Sequence, residues 1–129
     1  MGNLSSEFDW EVDREEVFNF LARGWDVSKA KQLIIDKPRE VLDANLSGVA
    51  NFVQRPKEGQ IIAGITIDWS DIDESDEYDC DFPGILITTS EGTFPIDGWH
   101  RFAKGLDEGR TVFPCVILDE AETKEVTFR

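Results

Sequence analysis

Positive charge is scarce in this chain. Thirteen lysines and arginines face 27 aspartates and glutamates, for a formal net charge of −14. DNA, RNA and anionic membranes are polyanions that need a basic face. The composition argues against binding any of them through the surface as a whole, and direct DNA binding is not expected. A cationic partner, a metal ion, a local anion pocket or simple solubility all stay compatible with it. Histidine is scarcer still: His100 is the only one. Cysteine is limited to Cys80 and Cys115, with no CxxC or other metal-ligand spacing. Long apolar runs are missing, and none approaches the ~18 residues of a membrane helix. The first residues, MGNLSSEFDW, lack the basic and apolar regions of a secretory signal. A cytoplasmic protein without membrane contact is expected.

What remains is ample for a folded domain. A chain of 129 residues with four tryptophans and nine phenylalanines can bury a core without disulfides or a structural metal. Residues 13–22, DREEVFNFLA, read as a helix with Val17, Phe18, Leu21 and Ala22 on one face. Arg23-Gly24-Trp25 interrupts it. Asp26 or Ser28 can cap a second helix, VSKAKQLIID, with Ala30, Leu33 and Ile34 inward and Pro38 as its stop. Residues 40–54 offer a third helical stretch, weakened at Gly48. These helices suit a cap on a sheet better than a helix-turn-helix, because only Lys29, Lys31 and Lys37 could contact nucleic acid.

From Gly59 the pattern changes. QIIAGITIDW, residues 60–69, reads as a buried strand. GILITT and GTFPI read as two more, joined by a hairpin turn at Ser90-Glu91-Gly92. GWHRFAKGLDEG reads as a helix and TVFPCVILD, 111–119, as a final core strand. The tail AETKEVTFR can add a short helix and a frayed strand. The expected class is α+β: a small mixed sheet with helices, in one domain spanning residues 1–129. Cys115 lies within the final strand and reads as a buried thiol. Cys80 sits among carboxylates that disfavour its thiolate. The sequence leaves a disulfide between the two open.

Two stretches could carry function. The first is DIDESDEYDCD, 71–81, which with Asp68 holds eight carboxylates and no cation. It reads as a solvated loop. Two alternatives are oxygen ligation of Ca²⁺ or Mg²⁺ and imitation of a phosphate backbone. An EF-hand is ruled out, since the sixth position from Asp71 is Asp76 instead of glycine and the twelfth is Phe82.

The second stretch is PIDGWHRFAKG, where a strand hands over to a helix. Helix N-termini present unpaired N–H groups and attract anions. Gly98 removes the side chain that would hinder close approach. His100 and Arg101 fall in the first turn, where cations oppose the helix dipole. That placement suits a phosphate: Arg101 can grip it with parallel donors and His100 can donate to it. A structural reading is equally open. In it Asp97 caps the helix, Trp99 and Phe102 enter the core, and His100 and Arg101 pair with carboxylates.

Residues 96–119, IDGWHRFAKGLDEGRTVFPCVILD, resemble the signature of the ParB/sulfiredoxin-like superfamily. Asp97, Gly98, His100, Arg101, Ala103, Gly109 and Pro114 match it. The preceding ILITTSEGTFPIDG resembles the family's hairpin, so the likeness runs over residues 84–119. It implies a core over 57–129, preceded by a helical N-terminal elaboration over 1–56. It also implies a nucleotide or other phosphate ligand, ATP or CTP with Mg²⁺, bound by Gly98, His100 and Arg101. For an enzyme of this kind the reaction would be phosphoryl transfer or phosphodiester hydrolysis. Arg101 would then stabilise charge and His100 donate a proton, with Asp97 orienting His100 or acting as base. Asp68 or the 71–81 segment would hold Mg²⁺. Trp99 stands where sulfiredoxins place their catalytic cysteine, so that chemistry is not expected. Ten residues follow Asp119, so a CTP-operated DNA clamp is not expected either. The family's N-terminal Arg-bearing motif finds only Gln54-Arg55-Pro56. The alternative is a non-catalytic acidic protein, a DNA mimic among the options, that engages a basic or DNA-binding partner through residues 68–81.

Overall fold

The computed structural model of the chain describes residues 3–12, 15–53, 65, 67–74 and 80–129. Its main sheet has four strands in the order β3-β6-β4-β5: β3 is Leu42–Asn45, β4 Gly84–Thr89, β5 Gly92–Asp97 and β6 Val112–Ile117. β4 and β6 run parallel, and the other two pairs are antiparallel, so the sheet is mixed. Both of its faces are covered. Ile85, Ile87, Val116 and Leu118 pack with Val27, Ala30 and Ile34 of helix α1 (Val27–Asp36) and with Val126 of helix α4 (Glu120–Val126). On the other face Leu86, Phe113 and Cys115 pack with Phe102 of helix α3 (Trp99–Asp107). A sheet buried on both sides explains why GILI and VFPCVIL are nearly continuous apolar runs. The expected α+β class is therefore what the chain adopts. Among the described residues no helix is long and apolar enough to cross a membrane.

The first helix of the sequence reading is instead a β-hairpin, β1 (Val17–Phe20) with β2 (Arg23–Asp26), turning at Leu21-Ala22. Aromatic packing decides this. Phe18 lies 5.9 Å from Trp25 and 6.4 Å from Phe94, and Phe20 lies 5.1 Å from Phe94. A strand points Phe18 and Phe20 to one side, whereas a helix would send them to nearly opposite sides. The third expected helix is also corrected: residues 42–45 form β3, and Ser47–Phe52 is a 3-10 helix. β3 finds its partner in β6, Leu42 opposite Cys115, and this pairing overrides local propensity. Residues 1–56 are thus no purely helical elaboration, since they supply a strand to the central sheet.

Helix α1 forms as its sequence predicts. Asp26 caps it by accepting from the Lys29 N–H (3.0 Å), and Val27, Ala30 and Ile34 face the core. Arg39, just past its end, uses all three guanidinium nitrogens. It donates to Lys37 O and Ile117 O, and at 2.7 and 2.8 Å to the two carboxylate oxygens of Glu122 on α4. This fork joins the N-terminal third to the last helix. The anticipated strand at 60–69 lies mostly outside the described residues; Ile65, Ile67 and Asp68 carry no strand pairing, and Trp69 begins helix α2 (Trp69–Glu74). Part of the expected acidic loop is therefore helical. Asp68 Oδ1 accepts from the Asp71 N–H, and Ile72 is buried beside Trp99 and Ala103. Residues 75–79 of that loop lie outside the described residues. Cys80 and Cys115 are both free thiols, which closes the disulfide question. Burial pushes the Cys115 thiol up to about 12.

Candidate functional site

β5 ends at Asp97 and α3 begins at Trp99. The one residue between them, Gly98, sits at φ +95°. That left-handed conformation is disfavoured for L side chains. A Cβ at Gly98 would also lie 3.0 Å from Arg101 Nη2 and 3.1 Å from Phe102 Cζ. The Asp-Gly pair is therefore what lets the chain reverse this tightly. Gly98 itself is the helix N-cap and no side chain caps the helix, so Asp97 does not serve as the cap considered from sequence.

The next three side chains diverge. Trp99 is buried, donates from Nε1 to Pro95 O (3.1 Å) and stacks 5.8 Å from Phe18. His100 is half-buried, and its Nε2 accepts the backbone N–H of Asp68 (3.2 Å). A neutral ring in that arrangement carries its proton on Nδ1. Arg101 turns beneath the segment before β4. Its Nη2 donates to Pro83 O (3.3 Å) and lies 3.5 Å from Asp97 Oδ2, and its guanidinium sits 4.9 Å from the Phe82 ring centre. Its backbone carbonyl accepts from the Cys80 thiol (3.4 Å). Arg101 Nε is buried and has no acceptor among the described residues.

All four residues singled out from the sequence, Asp97, Gly98, His100 and Arg101, line one cleft of about 690 Å³. The facing wall comes from far away in the chain: the segment around Trp10, the start of β1 with Glu16 and Phe18, and Lys31 of α1. Sequence reasoning missed this wall. No local spacing links residues 9–31 to residues 97–101, and only the tertiary packing of the hairpin brings them together. The cleft combines aromatic surface (Trp10, Phe18, Phe82, Trp99) with ionisable groups. Four carboxylates, Asp9, Glu11, Glu16 and Asp97, outnumber two cations. Each cation already has a carboxylate partner, Lys31 with Glu16 at 2.8 Å and Arg101 with Asp97. Among the described residues no three His, Cys, Asp or Glu side chains come together as a metal centre. No protein-family model, curated protein or solved structure matches the chain.

Proposed function

We propose that the chain is a ParB/sulfiredoxin-like domain that binds a nucleotide, ATP or CTP, as its Mg²⁺ complex in the cleft at the start of α3. The observation that carries this reading is Arg101. It lines the cleft, holds Asp97 at a distance longer than a direct hydrogen bond, and has no acceptor for its buried Nε among the described residues. Turning the guanidinium off Asp97 and Pro83 O would present Nε and Nη2 as two parallel donors, the geometry a phosphate accepts. The volume lies within the ~300–1,000 Å³ of small-ligand clefts, and the aromatic wall suits a nucleobase. A bare polyphosphate would meet a surplus of carboxylates, so the cation has to accompany it. Mg²⁺ is commonly held by one or two carboxylates plus the ligand's phosphates; Asp9 or Glu11, on the wall facing Arg101, would supply one.

Phosphoryl transfer or phosphodiester hydrolysis is the reaction class this site would serve. Arg101 takes up charge on the phosphate. His100 lines the same cleft, with its Nε2 accepting the Asp68 N–H. Asp97 faces Arg101 and is available as a base only once Arg101 has left it. Thermal unfolding with ATP, CTP and GTP, each with and without Mg²⁺, tests the binding step. A ligand at a hundred times its Kd adds ~2.7 kcal/mol, which raises the midpoint of a domain this size by about 10 °C. The shift is expected with one nucleotide plus Mg²⁺, and is expected to vanish in Arg101→Lys, which keeps the charge and loses the fork. No shift with any nucleotide refutes the reading.

The pairing of both cleft cations and the four-to-two excess of carboxylates favour a second reading, an acidic binding protein for a cationic partner. In that case nucleotides leave the midpoint unmoved, and a basic protein binds with an affinity that falls as salt rises.

A further inference from the structure

Lys31 stands on the wall of the cleft that faces Arg101, and only 14% of its side chain is exposed. Lysine is seldom so shielded unless it is paired. Its partner is Glu16, whose Oε1 accepts from Nζ at 2.8 Å. Glu16 is itself pinned to the start of α1. Its carbonyl accepts the N–H groups of Val27 (2.9 Å) and Ser28 (3.3 Å), and its own N–H donates to Ser28 Oγ. Lys31 follows Ala30 and precedes Ile34 by one helical step, and both of those side chains are buried, so its backbone belongs to a helix fixed in the core. The ammonium is therefore held in place without being used up. It carries three N–H donors. Among the described residues Glu16 is its one partner, which leaves two donors for a guest in the cleft.

We propose that Lys31 is the second phosphate-binding residue of this cleft, donating to the ligand's phosphates from the wall opposite Arg101. The inference rests on the nucleotide reading above and adds to it a residue outside the strand–turn–helix motif. The two cations differ in what binding asks of them. Arg101 has to turn off Asp97 and Pro83 O before it can offer its fork. Lys31 can donate where it stands and keep Glu16, because a compact ammonium serves several acceptors at once. Its position also answers the charge of the cleft. Without Lys31 the ionisable groups of that wall would be Asp9, Glu11 and Glu16, all carboxylates. With it, the wall has a cation to set against a phosphate, at the strength of a charge-assisted hydrogen bond.

Isothermal titration calorimetry of the full chain with ATP and with CTP, both in Mg²⁺, tests this. Lys31→Met alone would leave Glu16 without its cation, so the decisive variant is Lys31→Met combined with Glu16→Gln. It removes the pair, strands no charge and leaves the net charge of the cleft as it was, so a change in affinity reports the lost donors and not the overall field. It is expected to keep the wild-type circular dichroism and to bind the nucleotide about tenfold to a hundredfold more weakly, the loss of a hydrogen bond to a charged group. Lys31→Arg keeps both the charge and the pair with Glu16, and is expected to bind more tightly than the double variant. A folded double variant that binds as tightly as wild type, or a Lys31→Arg no better than the double variant, overturns the proposal and leaves the nucleotide reading standing. A wild type that binds neither nucleotide overturns both.

Discussion

Removing the carboxylate of Glu122 should unfasten the N-terminal third of the protein from its last helix. Both partners of the Arg39–Glu122 fork are largely shielded, with 19% and 12% of the side chains exposed. Glu122 also accepts the Asp119 N–H (3.1 Å), while Asp119 accepts the Glu122 N–H (2.8 Å), a reciprocal cap on α4. Glu122→Gln keeps the shape, loses the charge and turns an amide N–H₂ toward a guanidinium that can only donate. A lost hydrogen bond to a charged group costs about 1.5–3 kcal/mol. Glu122→Ala removes the cap as well and strands Arg39, for about 3–5 kcal/mol, a large share of the roughly 5–15 kcal/mol that holds a small domain together. Arg39→Met combined with Glu122→Leu should recover much of that loss, because no buried charge is left alone. The hydrogen bond from Arg39 holds the Glu122 carboxyl below the usual glutamate range, against the upward pull of burial. Because the folded value is the lower one, the stabilisation is full above the unfolded value and disappears as pH falls through the folded one. Urea denaturation should therefore show a gap between wild type and Glu122→Gln that is widest near neutral pH and closes in acid. No gap at neutral pH, or a gap that widens on acidification, would refute the reasoning.

Gly98→Ala is expected to cost about 1–2 kcal/mol from the left-handed backbone alone, with a further loss from the close contact to Phe102; an unchanged urea midpoint would contradict the turn geometry described above. Thiol titration with an aromatic disulfide reagent should modify Cys80 in the native protein and leave Cys115, fully buried and with its thiolate suppressed, untouched until denaturant is added.

Helix α1 was legible because its signals are local: an aspartate cap, apolar residues at helical spacing and a proline stop. The β4–β5 hairpin and α3 were legible for the same reason, through Ser90-Glu91-Gly92 and Asp97-Gly98. The β1–β2 hairpin was not. VFNF is too short for its period to be unambiguous, and the stacking of Phe18 and Phe20 on Phe94 that settles it involves a residue more than seventy positions away. β3 was hidden likewise, since nothing in LDAN announces β6. At the candidate site, the motif wall could be read from adjacent residues. The opposing wall, with Trp10, Phe18 and Lys31, could not, because it exists only once the hairpin has docked. His100 illustrates the limit: its Nε2 is engaged by the Asp68 amide, a backbone group that no side-chain pattern reveals.

The strand order also sets a timetable for the birth of the protein. β6 occupies the centre of the sheet between β3 and β4, yet it is the last strand to be made. Asn45 at the end of β3 pairs with Val112, so that edge must wait while 67 residues are translated, about 3–13 s at common elongation rates. Throughout that interval the nascent chain carries an unpartnered strand and a half-built apolar face. Repulsion among its many carboxylates is then the protection against sticking to a neighbouring chain, so the acidity that constrains the mature protein's partners also guards its synthesis.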